Sequence, residues 1–297
     1  MLSSRKIAEA DTRSNHETKN STADSGDITL ESKSIELKNG TKLLADVENG
    51  SLFSGGDVNL ITTNKDYAEL VYANAISKII IDNATIKASN ITASAKAEGL
   101  YAWGGDTENL NLGATHVIGN IYIMALRTIL TQLTGINIGI AIARGDSSVT
   151  VKSGSVLQAD NKVSLKSETN ASAGTYTVAK PAANAGAFAL GIIYGETKAH
   201  STVDVHSGAT IRSADLELDA RNIADLNLNV YSVSTTDSAN AAIAIGKADV
   251  KSTAQIASGA IINVTNDIDV AALNNDRLKV ASNAMAVGAG KAGISTS

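Results

Sequence analysis

Alternation of apolar and polar residues runs along most of the chain and predicts strands rather than helices. Val203 and Val205 are separated by one polar residue, as are Leu216 and Leu218, so alternate side chains fall on one face of an extended strand. These runs are about four to six residues long and are bounded by turn residues. Only one Pro occurs in 297 residues, which suits strands that need every backbone N–H. The pattern predicts an all-β fold.

The alternating runs recur in long repeats. A Ser-Gly pair at 153–154 returns at 207–208 and at 258–259, after 54 and then 51 residues. Each copy continues with an apolar-polar-apolar triplet and closes on an apolar strip rich in Ala and Gly. The triplets are 163–165, 216–218 and 268–270, and the closing strips are 189–193, 242–246 and 286–290; an earlier strip, 138–143, precedes the first Ser-Gly pair. We place the units near 77–147, 148–201, 202–252 and 253–297.

Such a unit cannot bury its apolar face alone, so stacking of the units predicts a parallel β-helix over residues 27–297. At roughly 20 to 25 residues per coil, each unit contains two or more coils and the rod is on the order of 55 Å long. Residues 1–26 are polar and are predicted to form a flexible lead-in.

One segment, 117–143, is ambiguous between strand and helix. Its apolar residues Ile121, Met124, Ile129, Leu130 and Leu133 suit one short amphipathic helix near 121–133. Arg127 lies near the middle of the segment, which argues against a membrane span.

Composition and charge exclude several classes of binding partner and of metal site. The net charge is −5 and no basic run occurs, so neither nucleic acid nor an anionic membrane surface is expected. The absence of Cys excludes disulfides and thiolate metal sites. The amino terminus lacks the pattern of a signal peptide. If the protein is exported, we expect this chain to continue into a longer one.

No constellation of residues predicts catalysis, a cofactor or a metal site. The four histidines are His16, His116, His200 and His206, and no Cys supports them as zinc ligands. Asp267 and Asp269 correspond to Asp215 and Glu217 one repeat earlier, which fits a solvated strand face. The Gly-Gly-Asp segments are not in tandem, as calcium-binding repeats would be. The candidate contact residues are Tyr101, Trp103 and Asp106, in a Gly-rich insertion whose alternative role is packing over the coil end.

The stretches 26–30, 34–37, 56–60 and 207–218 resemble the rungs of filamentous-haemagglutinin-type exoproteins. The longer Ala-rich units from Ser148 onward resemble repeats of very large bacterial filamentous adhesins, including the group named after a leukotoxin. The resemblance implies a right-handed parallel β-helix, secretion from a Gram-negative-type cell, and attachment to a protein or glycan of a host or neighbouring cell. The amino-terminal secretion domain of that family is not recognisable here.

The function expected from these observations is a structural or adhesive repeat segment of a secreted or cell-surface bacterial exoprotein. Two alternatives remain open at this point. One is a polysaccharide-active β-helix enzyme of the pectin-lyase type, which would need carboxylates clustered on adjacent coils. The other is a passive surface-layer or biofilm-matrix component, which would bind no specific receptor.

Overall fold

The computed structural model describes residues 6–9, 16–18, 22–24, 27–38, 40–45, 56–67, 72–102, 135–179, 188–234, 239–286 and 293–296. All regular elements in these residues are strands. The described residues therefore include no helix that is long and apolar enough to cross a membrane. The candidate helix at 121–133 lies outside the described residues. The strands are β1 (Lys6–Glu9), β2 (His16–Thr18), β3 (Thr22–Asp24), β4 (Ile28–Ser32), β5 (Ser34–Leu37), β6 (Lys42–Leu44), β7 (Val58–Tyr67), β8 (Tyr72–Ile81), β9 (Thr85–Ala102), β10 (Ile136–Val151), β11 (Val156–Ala179), β12 (Phe188–Val205), β13 (Thr210–Ser213), β14 (Asp215–Ser234), β15 (Ala239–Ile256), β16 (Ile261–Val264), β17 (Ile268–Ala286) and β18 (Gly293–Thr296).

The strands form two parallel sheets, which confirms the predicted parallel β-solenoid. Sheet A follows the order β1-β4-β7-β9-β11-β13-β16, with β14 between β11 and β17 and with β6 between β3 and β9. Sheet B follows the order β2-β5-β8-β10-β12-β15-β18. The chain runs along a strand of sheet B, turns, and returns along sheet A. We call one such circuit a rung.

Each of the long repeats is one rung, so the prediction of two or more coils per repeat is wrong. Val205 pairs with Val151 on one side and with Ile256 on the other, and each partner lies one repeat away along the chain. The rungs are wide because β10, β11, β12 and β14 are 16, 24, 18 and 20 residues long. The seven described strands of sheet B therefore span about 29 Å at about 4.8 Å per step, rather than the predicted rod on the order of 55 Å.

Rung length varies along the chain. His16 pairs with Ile35, so the first rungs are much narrower than the later ones. Tyr72 pairs with Ile142, and this rung is longer than those that follow because the insertion around Trp103 lies in it. In residues 1–26, where we predicted a flexible lead-in, β1, β2 and β3 pair in parallel with β4, β5 and β6.

The interior formed by the described residues contains two apolar clusters. The first lies beside the turn that joins sheet B to sheet A and is walled by residues such as Val203, Ile211 and Leu218, each fully buried. The second lies farther from the turn, where the two sheets pack face to face, and includes Ile193, Leu226 and Leu228. Burial of these alternate side chains is what favours the stacked arrangement over isolated repeats.

Small residues in sheet B allow the two sheets to approach in the second cluster. A Cβ at Gly191 would lie 2.6 Å from Val230 Cγ2, and one at Gly195 would lie 2.6 Å from Leu228 Cδ2. The Ala- and Gly-rich strips therefore have small side chains inside, where the large residues of sheet A fill the space.

A buried polar layer separates the two clusters. Ser147 Oγ lies 2.7 Å from both Ser167 Oγ and Thr169 Oγ1. Ser147 is in register with Ser201 of the next rung, and Ser201 is in register with Ser252. These hydroxyls satisfy one another inside the fold, as buried polar groups require.

The Ser-Gly turns stack in a column along one side of the solenoid. Gly208 has a φ of 76°, a left-handed conformation that favours glycine, and its N–H donates to Gly259 O at 2.9 Å. A Cβ at Gly208 would lie 2.6 Å from Ser153 Oγ of the preceding turn. Glycine is thus required by the backbone angle and by the neighbouring rung.

Candidate contact surface

The structure describes one of the three predicted contact residues, Tyr101. Tyr101 lies near the end of β9, is 4% exposed and belongs to the second apolar cluster. Its ring therefore packs inside the solenoid and is not displayed in an insertion loop. Trp103 and Asp106 lie outside the described residues, so their role stays a prediction.

A different apolar surface lies on the outer face of sheet B, near the starts of β10, β12 and β15. Three alternate positions on each of these three neighbouring strands are paired in register, so that nine outward side chains form a three-by-three grid. We call this grid the isoleucine array; its rows are Ile136, Leu190, Ala241; Ile138, Ile192, Ile243; and Ile140, Tyr194, Ile245.

The isoleucine array is open to solvent. Ile138 and Ile245 are 55% and 52% exposed, and Ile140 is 39% exposed. The residues between them, such as Ala141 and Ala244, point inward and are buried. Scattered exposed aliphatics are ordinary on protein surfaces, but a contiguous apolar patch marks an interaction site.

Two charged residues beside the array, Arg144 and Glu196, are hydrogen-bonded to each other. The Arg144 guanidinium donates from Nε and Nη2 to Glu196 Oε1 at 3.1 and 2.8 Å, and Tyr194 Oη donates to Glu196 Oε2 at 3.0 Å. Arg144 also lies over the Tyr72 ring, 5.3 Å from its centre. The hydrogen bond to Glu196, with burial, raises the pKa of Tyr194. This cluster gives the apolar grid a rigid polar border.

The histidines of the later rungs lie apart from one another on the outer surface. His200 Nε2 is 3.1 Å from Asp249 Oδ1, and His206 Nε2 is 3.0 Å from Asp204 Oδ2. The contact with His200 lowers the pKa of Asp249. Within the described residues, no three His, Asp or Glu side chains are grouped closely enough to hold a metal ion.

Two of the acidic positions noted in the repeats, Glu217 and Asp269, are register partners on the outer face of sheet A. Ser164, Glu217 and Asp269 share one register across three rungs. Burial of Glu217 opposes its ionisation, but hydrogen bonds from Lys162, Lys166 and Ser164 at 2.6, 3.0 and 3.1 Å outweigh that effect. They lower the pKa of Glu217 to about 2. At neutral pH this carboxylate is therefore ionised and paired with lysines of the neighbouring rung.

No protein-family model, curated protein or solved structure matches this chain. The surface offers an apolar grid beside hydrogen-bonded charged side chains, which suits non-covalent contact. The sequence contains a signal for the grid, because Ile138, Ile140 and Ile142 alternate with Gly and Ala. We interpreted that strip as the closing part of a repeat, whereas its small residues face inward and its large residues face outward.

Proposed function

We propose that this chain is a structural and adhesive repeat segment of a large secreted or cell-surface exoprotein of a Gram-negative-type bacterium. The observation that supports adhesion best is the exposed isoleucine array. It lies on β10, β12 and β15. The backbone of β12 pairs in parallel with β10 on one side and with β15 on the other, along the full length of both neighbours. A preorganised surface loses little conformational entropy when it binds.

The array suits a protein partner better than a glycan. Eight of its nine side chains are aliphatic and offer no hydrogen-bond groups to the hydroxyls of a sugar, and the hydroxyl of the ninth, Tyr194, already donates to Glu196. The aliphatic side chains match the apolar centre of a protein interface. Nine positions at strand and residue spacing cover roughly 300 Å². A standard interface needs about 800 Å² on each side, so the charged residues beside the array, including Arg144 and Glu196, would form the rim of the contact.

The experiment that tests this proposal compares binding of beads coated with the full chain to intact cells. The double variant Ile140→Thr/Ile245→Thr removes two array side chains of one row while keeping β-branched residues. Its matched control, Ser148→Ala/Thr253→Ala, changes two outward positions of the same two strands. We expect the array variant to lose tenfold or more of the binding, as truncation of central interface residues does, and the control to bind like the parent chain.

Treatment of the target cells identifies the partner class. Protease treatment of the cells should abolish binding, and enzymatic removal of glycans should leave it intact. Equal binding by the array variant and the control, or binding that follows the glycans, would refute a protein contact through the array.

A further inference from the structure

Three lysines lie on the outer face of sheet B, next to the isoleucine array. Lys247 is the next outward residue after Ile245 on β15, and Lys251 lies four residues farther along the same strand. Lys198 lies on β12, in register with Asp249, which lies between the other two lysines. We call Lys198, Lys247 and Lys251 the lysine cluster.

The acidic residues beside the lysine cluster have other partners. Glu196 accepts hydrogen bonds from Nε and Nη2 of Arg144. The carboxylate of Asp249 lies 3.1 Å from His200 Nε2. Asp146 is on β10, in register with His200 and two strands away from β15. The nearest carboxylates are therefore engaged or distant.

The ammonium groups of the cluster are available to a partner. Within the part of the chain that the structure describes, none of the three forms an ion pair, and Lys247 and Lys251 are exposed. The cluster is thus a positive rim beside an apolar centre, in a chain whose net charge is −5.

We propose that the protein partner of the isoleucine array carries acidic side chains that pair with the lysine cluster. This inference rests on the adhesive function proposed above, because it assigns a chemistry to the partner of the same surface. Opposite charges across an interface speed association and select the partner. A lysine that loses hydration at the contact needs an acceptor in exchange.

The spacing of the lysines fixes where the acidic side chains of the partner lie. At a rise of about 3.3 Å per residue, Lys247 and Lys251 lie about 7 and 20 Å beyond Ile245 along β15. The partner therefore presents apolar residues to the array and carboxylates within about 20 Å of them. An anionic glycan would match the lysines but would leave the adjoining aliphatic side chains without an apolar partner.

The test uses beads coated with the full chain and the same intact cells as the adhesion assay. Lys247→Glu/Lys251→Glu reverses two charges of the cluster and leaves the array unchanged. Its matched control, Arg212→Glu/Lys279→Glu, makes the same change of charge at two exposed positions on the outer face of sheet A. Lys247→Gln/Lys251→Gln removes the two charges without introducing repulsion. Circular dichroism and thermal unfolding check that each variant is folded.

We expect the charge-reversal variant to bind tenfold or more below the parent chain at about 0.05 M NaCl, because attraction across the rim becomes repulsion. The neutral variant should fall between the two. At about 0.5 M NaCl the difference should shrink to about threefold or less, since salt screens exposed charges. The control should bind like the parent chain at both salt concentrations.

Equal binding by the charge-reversal variant and its control would overturn the acidic partner. If Ile140→Thr/Ile245→Thr still loses binding in that experiment, the proposed function itself survives. Lysine-dependent binding that disappears after enzymatic removal of cell glycans, but not after protease treatment, would assign the cluster to an anionic glycan and also overturn the proposal. A loss confined to the lysine variants, with the array variant binding like the parent chain, would refute the contact through the array and, with it, this assignment of its partner.

Discussion

Asn222 Nδ2 donates a hydrogen bond to Asn274 Oδ1 of the next rung at 3.0 Å. The same amide nitrogen lies 2.9 Å from Ser252 Oγ, and Asn222 Oδ1 accepts from Ser201 Oγ at 2.6 Å. Asn222 is 1% exposed, so one buried amide ties two rungs and both sheets together. Its hydrogen bonds continue the buried polar layer across the solenoid.

We expect Asn222→Leu to lower the free energy of unfolding by about 2–4 kcal/mol, because it leaves buried polar groups without this partner. Urea denaturation of the full chain measures this change. Asn229→Ala is the matched control, because Asn229 lies outward on the same strand and donates to Asn227 Oδ1 at 3.0 Å. A loss for Asn222→Leu no larger than that of the control would contradict a stabilising role for the polar layer.

Gly208→Ala should destabilise the protein by about 1–3 kcal/mol, because it combines a left-handed backbone angle with a contact between the new Cβ and Ser153 Oγ. Adding Ser153→Ala removes that oxygen but not the backbone strain. The double variant should therefore lose less stability than the sum of the two single variants. Additive losses would indicate that the new Cβ at position 208 does not meet Ser153 Oγ of the preceding turn.

The ion pairs of Glu217 predict a pH dependence in acid. Its pKa is lowered from 4.5 to about 2, so its contribution to stability is fully present above pH 4.5 and is lost as the pH falls through 2. Because Lys162 and Lys166 are 46% and 44% exposed, we expect a contribution of only about 1 kcal/mol. The parent chain should exceed Glu217→Gln in stability at pH 7, and the difference should disappear near pH 2. A constant difference across this range would contradict the assignment.

The two faces of sheet B should respond differently to the same substitution. Ile245→Thr changes an outward side chain that is 52% exposed and should alter stability by no more than about 0.5 kcal/mol. Ile193→Thr puts a hydroxyl at a fully buried position and should cost about 2–4 kcal/mol. Thermal unfolding of both variants checks this. Similar losses at the two positions would show that the isoleucine array is not a solvent-exposed surface.

The fold class and the Ser-Gly turns were predictable because alternation and turn chemistry are local. Ser207-Gly208 marks a turn in the sequence, and the structure stacks it between the turns at Ser153 and Ser258. Coil length was not predictable in the same way. Alternation shows which face a residue occupies, as at Leu216 and Leu218, but it does not show how far a strand continues before the chain reverses.

The polar layer and the contact surface depend on packing between rungs. Ser147, Ser201 and Ser252 recur at the same spacing as the Ser-Gly pairs, and that coincidence was an available signal. The outward direction of Ile245 was harder to predict, because both neighbouring residues are also apolar or small. Only the position of sheet A decides which side of that strip is the interior.

The claim that one repeat equals one rung has a direct test by cysteine cross-linking, since the chain has no Cys of its own. Thr202 and Thr253 are register partners in β12 and β15, so their Cα atoms should be about 4.8 Å apart. Cysteines at both positions should form a disulfide under mild oxidation, because bridged Cα atoms lie about 4.4–6.8 Å apart. Cysteines at Ser148 and Thr253, two rungs apart at about 9.6 Å, should not. Cross-linking of the second pair without the first, or of neither, would contradict the account.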